Sequence, residues 1–454
     1  MKILIVSNLY PPYFVGGYEL RCSLVAEALR RRGHDVRVVT SSFGLSSPKG
    51  EVGDAAGVPV HRILRQYHHG PQRPFGRPYF LSRVRPQLKD ARRFIRMLDA
   101  FKPDIVNWWS VGGLTKAILH IPKYKRIPDV FWVEDDWIIE EAAQANYMQR
   151  PPWAALWQTQ DKPWYWQGPL VGLMESWTRK LLNKGVVTSP APFSPEHVCF
   201  VSEAIRADYE SQGLRFPSAE VIHGGVSAQQ FFYDRGDSFG ANKDIRLLYA
   251  GQLTADRGLH TAIEAFRLLP PEARSSVTLT VVGESFDLNY QRQVHQQVQE
   301  AGLSQNVSFV GKKTYAEMSE VYRTHAILLA PSLRKEGFPL TMVEAMLSGC
   351  AVVTSGSGGA IEIAKPAGLP VFPKADAPAL SRILERLIAD RPALAKLAKR
   401  GQAVALREFT SDRMTDRFVE VFQRLCDRKP GKDFQGDPVG GDRTSAEAVV
   451  EPSL

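Results

Sequence analysis

The sequence predicts an α/β protein with two doubly wound domains that face each other across a cleft. Three observations carry this prediction. The chain has 454 residues, which is more than one domain usually holds. Its first forty residues have the pattern of a strand, a glycine-containing loop, a helix and a second strand, which is the βαβ unit of a parallel sheet. A second series of strands that end in glycine begins near residue 245.

The N-terminal series begins with strands predicted at 3–6 and 36–40. The helix between them carries an apolar stripe made of Leu20, Leu24, Ala28 and Leu29. Later apolar runs predict further buried strands at 104–107, 129–133 and 198–202. We therefore assign residues 1–200 to an N-terminal Rossmann-like domain.

The C-terminal series contains four predicted strands, at 245–251, 277–283, 307–311 and 326–332. Residues 376–389 and 392–426 are predicted to be mostly helical. We assign 201–405 to a C-terminal Rossmann-like domain and 406–426 to a helix that packs back toward the N-terminal domain. Residues 427–454 are rich in glycine, proline and charge and are predicted to form a disordered tail. Ligands bind beyond the carboxyl ends of parallel strands, so a ligand is expected in the cleft.

Composition excludes several classes of protein. With 44% hydrophobic and 23% charged residues, the chain resembles an ordinary soluble protein with a large core. Its cysteines are far apart, which favours a reducing cytoplasm over a disulfide framework: Cys22, Cys199, Cys350 and Cys426. No apolar run approaches the roughly 20 residues of a membrane-spanning helix, and the apolar run at 3–6 is too short for a signal peptide. A cytoplasmic location is the expectation.

The positive charge is concentrated in one segment. Residues 62–102 hold eleven Arg and Lys against Asp90 and Asp99, and this excess equals the whole chain's net charge of +9. A solvated helix face is one interpretation. Peripheral contact with the inner membrane face, or attraction to an anionic acceptor, is the other. Nucleic acid is disfavoured, since the basic residues come with no nucleic-acid-binding module.

All nine tryptophans lie between Trp108 and Trp177, and five of them fall in a proline-containing insert at about 138–197. One interpretation places these rings in the core of the N-terminal domain. The other places several of them in an acceptor site, because aromatic faces stack on sugar rings or lipid.

The stretch EGFPLTMVE, residues 336–344, follows the strand at 326–332 and opens a helix near Pro339 or Leu340. The free amides of a helix N-terminus form an anion site. Glu336 and Glu344 flank this site, where they can accept hydrogen bonds from hydroxyl groups. That order suits a sugar nucleotide, with sugar, diphosphate and ribose in turn, although a capped surface helix with solvated carboxylates is the better explanation when the stretch is taken alone.

Five stretches together resemble glycosyltransferase family 4, retaining enzymes of GT-B fold. YAGQLTADRGLHTAIEAF (249–266) is similar to the family's GRLxxxKG element. The stretch 336–363 is similar to its Glu-x7-Glu element and includes Glu362. The remaining three are PPYFVGGYEL (11–20), CFVSEAIRADY (199–209) and VIHGGVSAQQF (221–231). The resemblance spans about 1–425 and is densest over 199–365.

This resemblance implies a set of donor-binding residues in the cleft, with the N-terminal domain on the acceptor side. Glu336 would bind the donor sugar and Glu344 the ribose, while Arg257 would stabilise the departing diphosphate. The other implied donor-binding residues are Gly16, Gly17, Gln252, Gly283, Phe338, Leu340 and Thr341. The resemblance also implies that no cofactor or divalent metal is needed, since cationic side chains and helix N-termini neutralise the leaving group.

Three positions depart from the family pattern. Gln252 stands where the family usually has arginine, and Asn107 and Trp109 replace two histidines. Glu134 occupies another histidine position, beside Asp135. Either carboxylate could stabilise a transition state with oxocarbenium character, which makes both candidate catalytic residues with Glu336 and Arg257. The alternative is that both simply end a strand on the cleft rim.

Three functions therefore stay open. The first is a retaining glycosyltransferase that moves a hexose from a UDP- or GDP-sugar to a hydroxyl acceptor, such as a glycan, a lipid-linked glycan or a small molecule. The second is a sugar-nucleotide 2-epimerase on the same fold. The third is a non-catalytic protein that binds sugar nucleotides.

Overall fold

The structure is a computed structural model of the chain. It describes residues 1–14, 16–43, 51–53, 57–65, 85–115, 118–119, 121–138, 195–236, 245–285 and 287–427. Most of the predicted tryptophan-rich insert, the middle of the basic segment and all but the first residue of the predicted tail lie outside these residues. The described strands form two sheets, and the prediction of two α/β domains built on parallel sheets is confirmed.

The first sheet has eight strands in the order β3-β4-β2-β1-β5-β6-β7-β8. Neighbouring strands are parallel except for β3 and β4, which are antiparallel. The central strands are buried, as expected for a sheet covered on both faces. The strands are β1 (Lys2–Val6), β2 (Asp35–Ser41), β3 (Glu51–Gly53), β4 (Pro59–Leu64), β5 (Ile105–Trp108), β6 (Asp129–Val133), β7 (His197–Phe200) and β8 (Ser218–Val221).

The second sheet has five parallel strands in the order β11-β10-β9-β12-β13. The sequence order reverses between β9 and β12, which makes this point the topological switch where ligands bind in open α/β sheets. The strands are β9 (Ile245–Ala250), β10 (Val277–Val282), β11 (Val307–Phe309), β12 (Ile327–Ala330) and β13 (Ala351–Thr354).

Helices cover both sheets and form the cleft edges. In the first half they are α1 (Gly17–Arg31), α2 (Arg85–Phe101), α3 (Ile121–Tyr124), α4 (Glu203–Ser211) and α5 (Ala228–Phe231). In the second half they are α6 (Leu259–Arg267), α7 (Pro271–Ser275), α8 (Leu288–Glu300), α9 (Tyr315–Thr324), α10 (Leu340–Leu347), α11 (Ala360–Ala367), α12 (Ala377–Ala389), α13 (Arg391–Glu408) and α14 (Ser411–Asp427). Within the described ranges, no helix combines the length and apolar character that crossing a membrane requires.

The predicted division between residues 200 and 201 is wrong for the first sheet. Strand β8 pairs in parallel with β7, with Cys199 opposite Glu220, so this sheet continues to Val221. No strand was predicted there because all four residues of β8 are only half-buried at the sheet edge, so they form no apolar run.

The chain crosses between the domains twice, and the two crossings pair with each other. Val226 donates its amide to the carbonyl of Phe409, and Ser411 donates its amide to the carbonyl of Val226. Beyond this pairing, α14 packs on α1, and the ring centroid of Phe418 lies 5.9 Å from that of Trp109. The last helix therefore belongs by packing to the N-terminal domain.

Candidate active site

The helix α10 begins where the loop after β12 turns back at Pro339, the residue before its first turn. Pro339 is extended, with φ −72° and ψ 103°, and supplies no side-chain cap. The amides of Leu340 and Thr341 stand in the first turn, where a helix offers no internal acceptor. Phe338 is buried just before this turn and stacks on His223 at 5.3 Å between ring centroids. The helix start therefore presents uncapped amides, and the anion site there stays a prediction.

Glu336 and Arg257 meet beside this helix start. Nη1 of Arg257 donates to Oε1 of Glu336 at 2.7 Å, and the hydroxyl of Ser332 donates to the same oxygen at 2.5 Å. Glu336 is buried, and Nε of Arg257 is buried without an acceptor among the described residues. The structure brings the two predicted catalytic residues together as a partly shielded ion pair, which leaves the Nε donor of Arg257 for another anion.

Gly359 and Gly337 allow backbone segments near Glu336 to pack closely, and Gly337 brings the two domains into contact. A Cβ at Gly359 would lie 1.9 Å from the carbonyl oxygen of Gly337, and a Cβ at Gly337 would lie 2.5 Å from the carbonyl oxygen of Glu134. Contacts this short exclude any side chain. The backbone around Gly337 therefore lies directly against the end of β6 in the other domain.

Glu344 is enclosed in the second turn of α10. Its Oε2 accepts a hydrogen bond of 2.8 Å from the hydroxyl of Tyr322. Burial raises the pKa of Glu344 to about 7, while the hydrogen bond from Tyr322 and the charge of Arg21 act in the opposite direction. This carboxylate accordingly changes its charge near neutral pH.

The glycine loop of the N-terminal domain reaches the same helix start. Gly16 precedes α1, and its amide donates to Oε2 of Glu19 at 3.1 Å. A Cβ at Gly17 would lie 3.1 Å from Cδ1 of Leu340. The start of α1 in one domain thus opposes the start of α10 in the other.

Glu134 ends β6 and forms a salt bridge with Arg21 of α1. Arg21 is only 1% exposed, and its guanidinium lies 5.4 Å from the centre of the Trp132 ring. Burial lowers the pKa of Arg21 to about 10, against the opposing charges of Tyr18, Glu344 and others, so the side chain is a cation at neutral pH. Oε2 of Glu134 is buried with no hydrogen-bond donor among the described residues.

Asp135, the neighbouring candidate, is exposed at the end of the strand. Its Oδ1 accepts from the amide of Trp137 at 3.3 Å, and its carbonyl accepts from the hydroxyl of Tyr209 at 3.0 Å. These bonds hold the turn that follows β6. They are the contacts expected of an acidic residue that ends a strand.

Asn107 and Trp109, at the positions of the missing histidines, are both fully buried. Nε1 of Trp109 donates to Oδ1 of Asn107 at 2.6 Å, and Nδ2 of Asn107 donates to the carbonyl of Val130 at 3.3 Å. These bonds tie the pair to the sheet. The four tryptophans in the described ranges are all buried, which supports the core interpretation for them: Trp108, Trp109, Trp132 and Trp137.

Gln252 and Gly283 lie at the carboxyl ends of β9 and β10. Gln252 is exposed, and its carbonyl accepts from the hydroxyl of Tyr249 at 3.0 Å. Gly283 has φ +149°, and a Cβ there would lie 1.8 Å from the carbonyl oxygen of Gly251. The contacts of Gly283 explain the glycine as a packing requirement between the two strand ends.

Two contacts between residues remote in the sequence were not predicted. Glu362 on α11 accepts hydrogen bonds of 2.9 Å from the amides of Glu203 and Ala204, at the start of α4, and lies 3.0 Å from Nε2 of His223. Burial favours a higher pKa for Glu362, but these hydrogen bonds outweigh it and hold the pKa below its usual range. The second contact is the pair of Arg21 and Glu134. In each case the partners are far apart in sequence and share no motif.

The structure also brings together His197, Cys199 and Glu220, whose ligand atoms lie within 4.8 Å of one another. The sequence indicated no such cluster because Glu220 lies on β8, a strand that was not predicted. Nη2 of Arg424 contacts Oε1 of Glu220 at 2.5 Å, and Arg417 lies 3.8 Å from its other oxygen. These two cations already neutralise the carboxylate, which disfavours a metal ion there.

Two Rossmann-like domains with an amide-lined helix start in the cleft between them define the GT-B class. Comparison with known proteins agrees. Residues 15–230 match the family model described as Glycosyltransferase Family 4, and residues 234–404 match the model described as Glycosyl transferases group 1. The chain is a glycosyltransferase made of these two domains.

Individual relatives are distant but cover most of the chain. An uncharacterized glycosyltransferase of Methanocaldococcus jannaschii is 24% identical over 390 residues, which is 82% of this chain and 86% of that protein. Glycogen synthase of Mycobacterium tuberculosis is 26% identical over 427 residues, 91% of each chain. The crystal structure of HepE from Anabaena in complex with UDP and glucose matches with a TM-score of 0.62 and 20% identity, covering 94% of this chain and all of that one. That structural likeness concerns the fold.

Proposed function

We propose that this glycosyltransferase moves a hexose from a nucleoside diphosphate sugar to a hydroxyl acceptor with retention of the anomeric configuration. The observation that carries the proposal is the pair of Arg257 and Glu336 beside the amides of Leu340 and Thr341, opposite the Gly16–Gly17 loop. The cation and the free amides suit a diphosphate, and the neighbouring carboxylate suits the hydroxyl groups of a sugar. HepE was crystallised with UDP and glucose, which supports a donor of this kind.

In the proposed reaction the bond between the anomeric carbon and the diphosphate oxygen breaks while the acceptor oxygen bonds to the same face of that carbon, and the proton of the acceptor hydroxyl passes to the departing diphosphate oxygen. Negative charge grows on the diphosphate as the bond breaks. The amides at the start of α10 and the guanidinium of Arg257 stabilise that charge, and their effect is greater in the transition state than in the ground state. Glu336 orients hydroxyls of the hexose, and Glu344 those of the ribose.

Glu134 is proposed to stabilise positive charge on the sugar ring. Its backbone touches Gly337, next to Glu336, and its Oε2 lacks a donor among the described residues. A carboxylate oxygen there can face an oxocarbenium-like centre. Asp135, which is exposed and bonded to the following turn, has less support for this role.

The acceptor is proposed to be a glycan or a lipid-linked glycan that enters from the N-terminal domain. The relative that is a glycogen synthase supports a glycan acceptor. Peripheral contact with an anionic membrane surface stays a prediction. It is supported by Lys89, Arg92 and Arg96, which lie exposed on α2 at helical spacing. Cosedimentation with vesicles that contain or lack anionic lipid would test this contact.

Two experiments test the donor and the reaction. A thermal-shift screen with UDP, GDP, ADP and their sugars should reveal one base that raises the melting temperature, since a ligand that binds only the folded state stabilises it. Incubation of that donor with candidate glycans, followed by NMR of the anomeric signal, should show transfer with retention, and chelators should leave the rate unchanged. An inverted product would contradict the mechanism.

The same assays separate the alternatives. Conversion of the donor to its 2-epimer without any acceptor would establish an epimerase. Tight binding of the nucleotide with neither hydrolysis nor transfer would establish a non-catalytic binder.

A further inference from the structure

Arg21 is a buried cation whose hydrogen-bonding capacity is largely unused. The residue is 1% exposed, and its Nε and Nη1 have no acceptor among the described residues. Nη2 contacts Oε1 of Glu134, its ion-pair partner. A buried donor without an acceptor is costly, and a guanidinium offers five donors in a planar fork. The free donors of Arg21 therefore indicate a binding position for an anionic ligand.

The position of these donors shows where that anion would lie. Arg21 is one turn beyond Gly17, on the same face of α1. Nη1 of Arg21 and Cδ1 of Phe338 each lie 3.1 Å from the point where a Cβ of Gly224 would stand. Phe338 comes two residues before α10, and Gly17 approaches Leu340 at 3.1 Å. The free edge of the guanidinium is thus beside the amide-lined start of α10.

Arg257 pairs with Glu336, four residues before α10, and its Nε is also buried without an acceptor among the described residues. Arg21 and Arg257 come from different domains, and each is partly neutralised by one carboxylate, Glu134 and Glu336 respectively. Gln252, which is predicted to bind the donor, is neutral and exposed. Two guanidiniums and a row of amides match the charge of a pyrophosphate better than that of a single carboxylate.

We propose that Arg21 is the second cation of the diphosphate site and binds a phosphate oxygen with its free donors. This inference rests on the proposed function, because it assigns a further contact to the same donor. Its consequence is that the diphosphate joins the two domains, with the amides of α10 and Arg257 on one side and Arg21 on the other. Glu134, which pairs with Arg21, then competes with the phosphate for it.

This competition allows a test in which two substitutions act in opposite directions. Binding of inorganic pyrophosphate, UDP, GDP, ADP and the matching nucleosides is measured by calorimetry. Glu134→Gln should bind pyrophosphate at least as tightly as the wild type, because Arg21 loses its competing carboxylate. The double variant Arg21→Met/Glu134→Gln should bind pyrophosphate about 10- to 100-fold more weakly than Glu134→Gln, which is the size expected for one charged hydrogen-bonded contact.

Arg32→Met is the matched control, since Arg32 ends the same helix and pairs with Asp416 on α14. It should bind all probes like the wild type. Nucleoside affinity should also be equal in all four proteins. If the double variant does not fold, Arg21→Gln/Glu134→Gln keeps a polar side chain in place and should show the same loss.

Equal pyrophosphate affinity in Glu134→Gln and in the double variant would overturn the proposal. A parallel loss of pyrophosphate and nucleoside binding would also overturn it, because Arg21 would then only hold the domains in place. UDP, GDP and ADP could all bind no more tightly than pyrophosphate while loss of Arg21 still weakens pyrophosphate binding. The proposed nucleotide donor would then be wrong, and the proposed anion site would be supported. If neither pyrophosphate nor any diphosphate binds the wild type, both proposals fail.

Discussion

The buried carboxylate of Glu344 predicts an unusual dependence of stability on pH. Burial raises the pKa of Glu344 from its ordinary value of 4.5 to about 7. Between these two values the unfolded chain releases a proton that the folded chain retains, so stability falls as the pH rises. About 2.5 units at about 1.4 kcal/mol per unit predict a total loss of about 3.5 kcal/mol, which begins near pH 4.5 and is complete by about pH 8. Glu344→Gln, which cannot titrate, should lack this loss.

The assay is urea unfolding of the wild type and Glu344→Gln at pH 5 and pH 8. The variant should gain about 2.5 kcal/mol relative to the wild type between the two values, because part of the loss has already occurred at pH 5. Glu362→Gln is the control, because the pKa of Glu362 is held below its ordinary value and its stabilisation is lost only as the pH falls. Wild type and Glu344→Gln curves that shift in parallel would refute a raised pKa.

Four substitutions probe the rest of the site and its frame. Glu344→Ala should raise the donor KM with little change in turnover of bound donor, since one ribose contact is worth about 1–3 kcal/mol; initial-rate kinetics that give an unchanged KM would remove the ribose role. Arg257→Ala should depress kcat because diphosphate charge grows in the transition state, and wild-type kcat would exclude Arg257 from the site. Gly337→Ala should weaken donor binding in calorimetry, because its Cβ would lie 2.5 Å from the carbonyl oxygen of Glu134; unchanged affinity would show that the two loops need not touch. Arg235→Ala should lower the free energy of unfolding by about 2–4 kcal/mol, since its guanidinium caps the carbonyls of Tyr322, His325 and Ser348, and urea midpoints equal to the wild type would contradict this.

The sequence predicted most of the fold because the central strands are largely apolar runs. Strands β9 and β10 are mostly apolar and run into Gly251 and Gly283, while β12 is wholly apolar, and most residues of all three are buried. Strand β8 was not predicted because its residues are half-buried at the sheet edge and form no apolar run. The break between α13 and α14 was not predicted either. Phe409 and Thr410 interrupt the helices because they pair with Val226, which is far away in the sequence.

The candidate site was predicted where one local motif carries it, as at Glu336 and the start of α10. Arg257 was placed from its family position, and the structure brings it to Glu336. Arg21 was missed because its partner Glu134 is remote in the sequence. A signal was present, since Arg21 shares the buried face of α1 with Val25 and Ala28. An arginine within an apolar stripe is rare enough to indicate a buried charge.

The paired crossings at Val226 and Thr410 affect how the protein could be divided or made to move. Rotation of one domain relative to the other would take place about the two paired chain segments that connect the domains. The domain motion would therefore have a single axis. A fragment that stops before Ser411 would strip Phe418 from Trp109 and expose an aromatic surface prone to self-association. If the two domains are expressed together as separate fragments, they should associate only when one of the fragments includes α14.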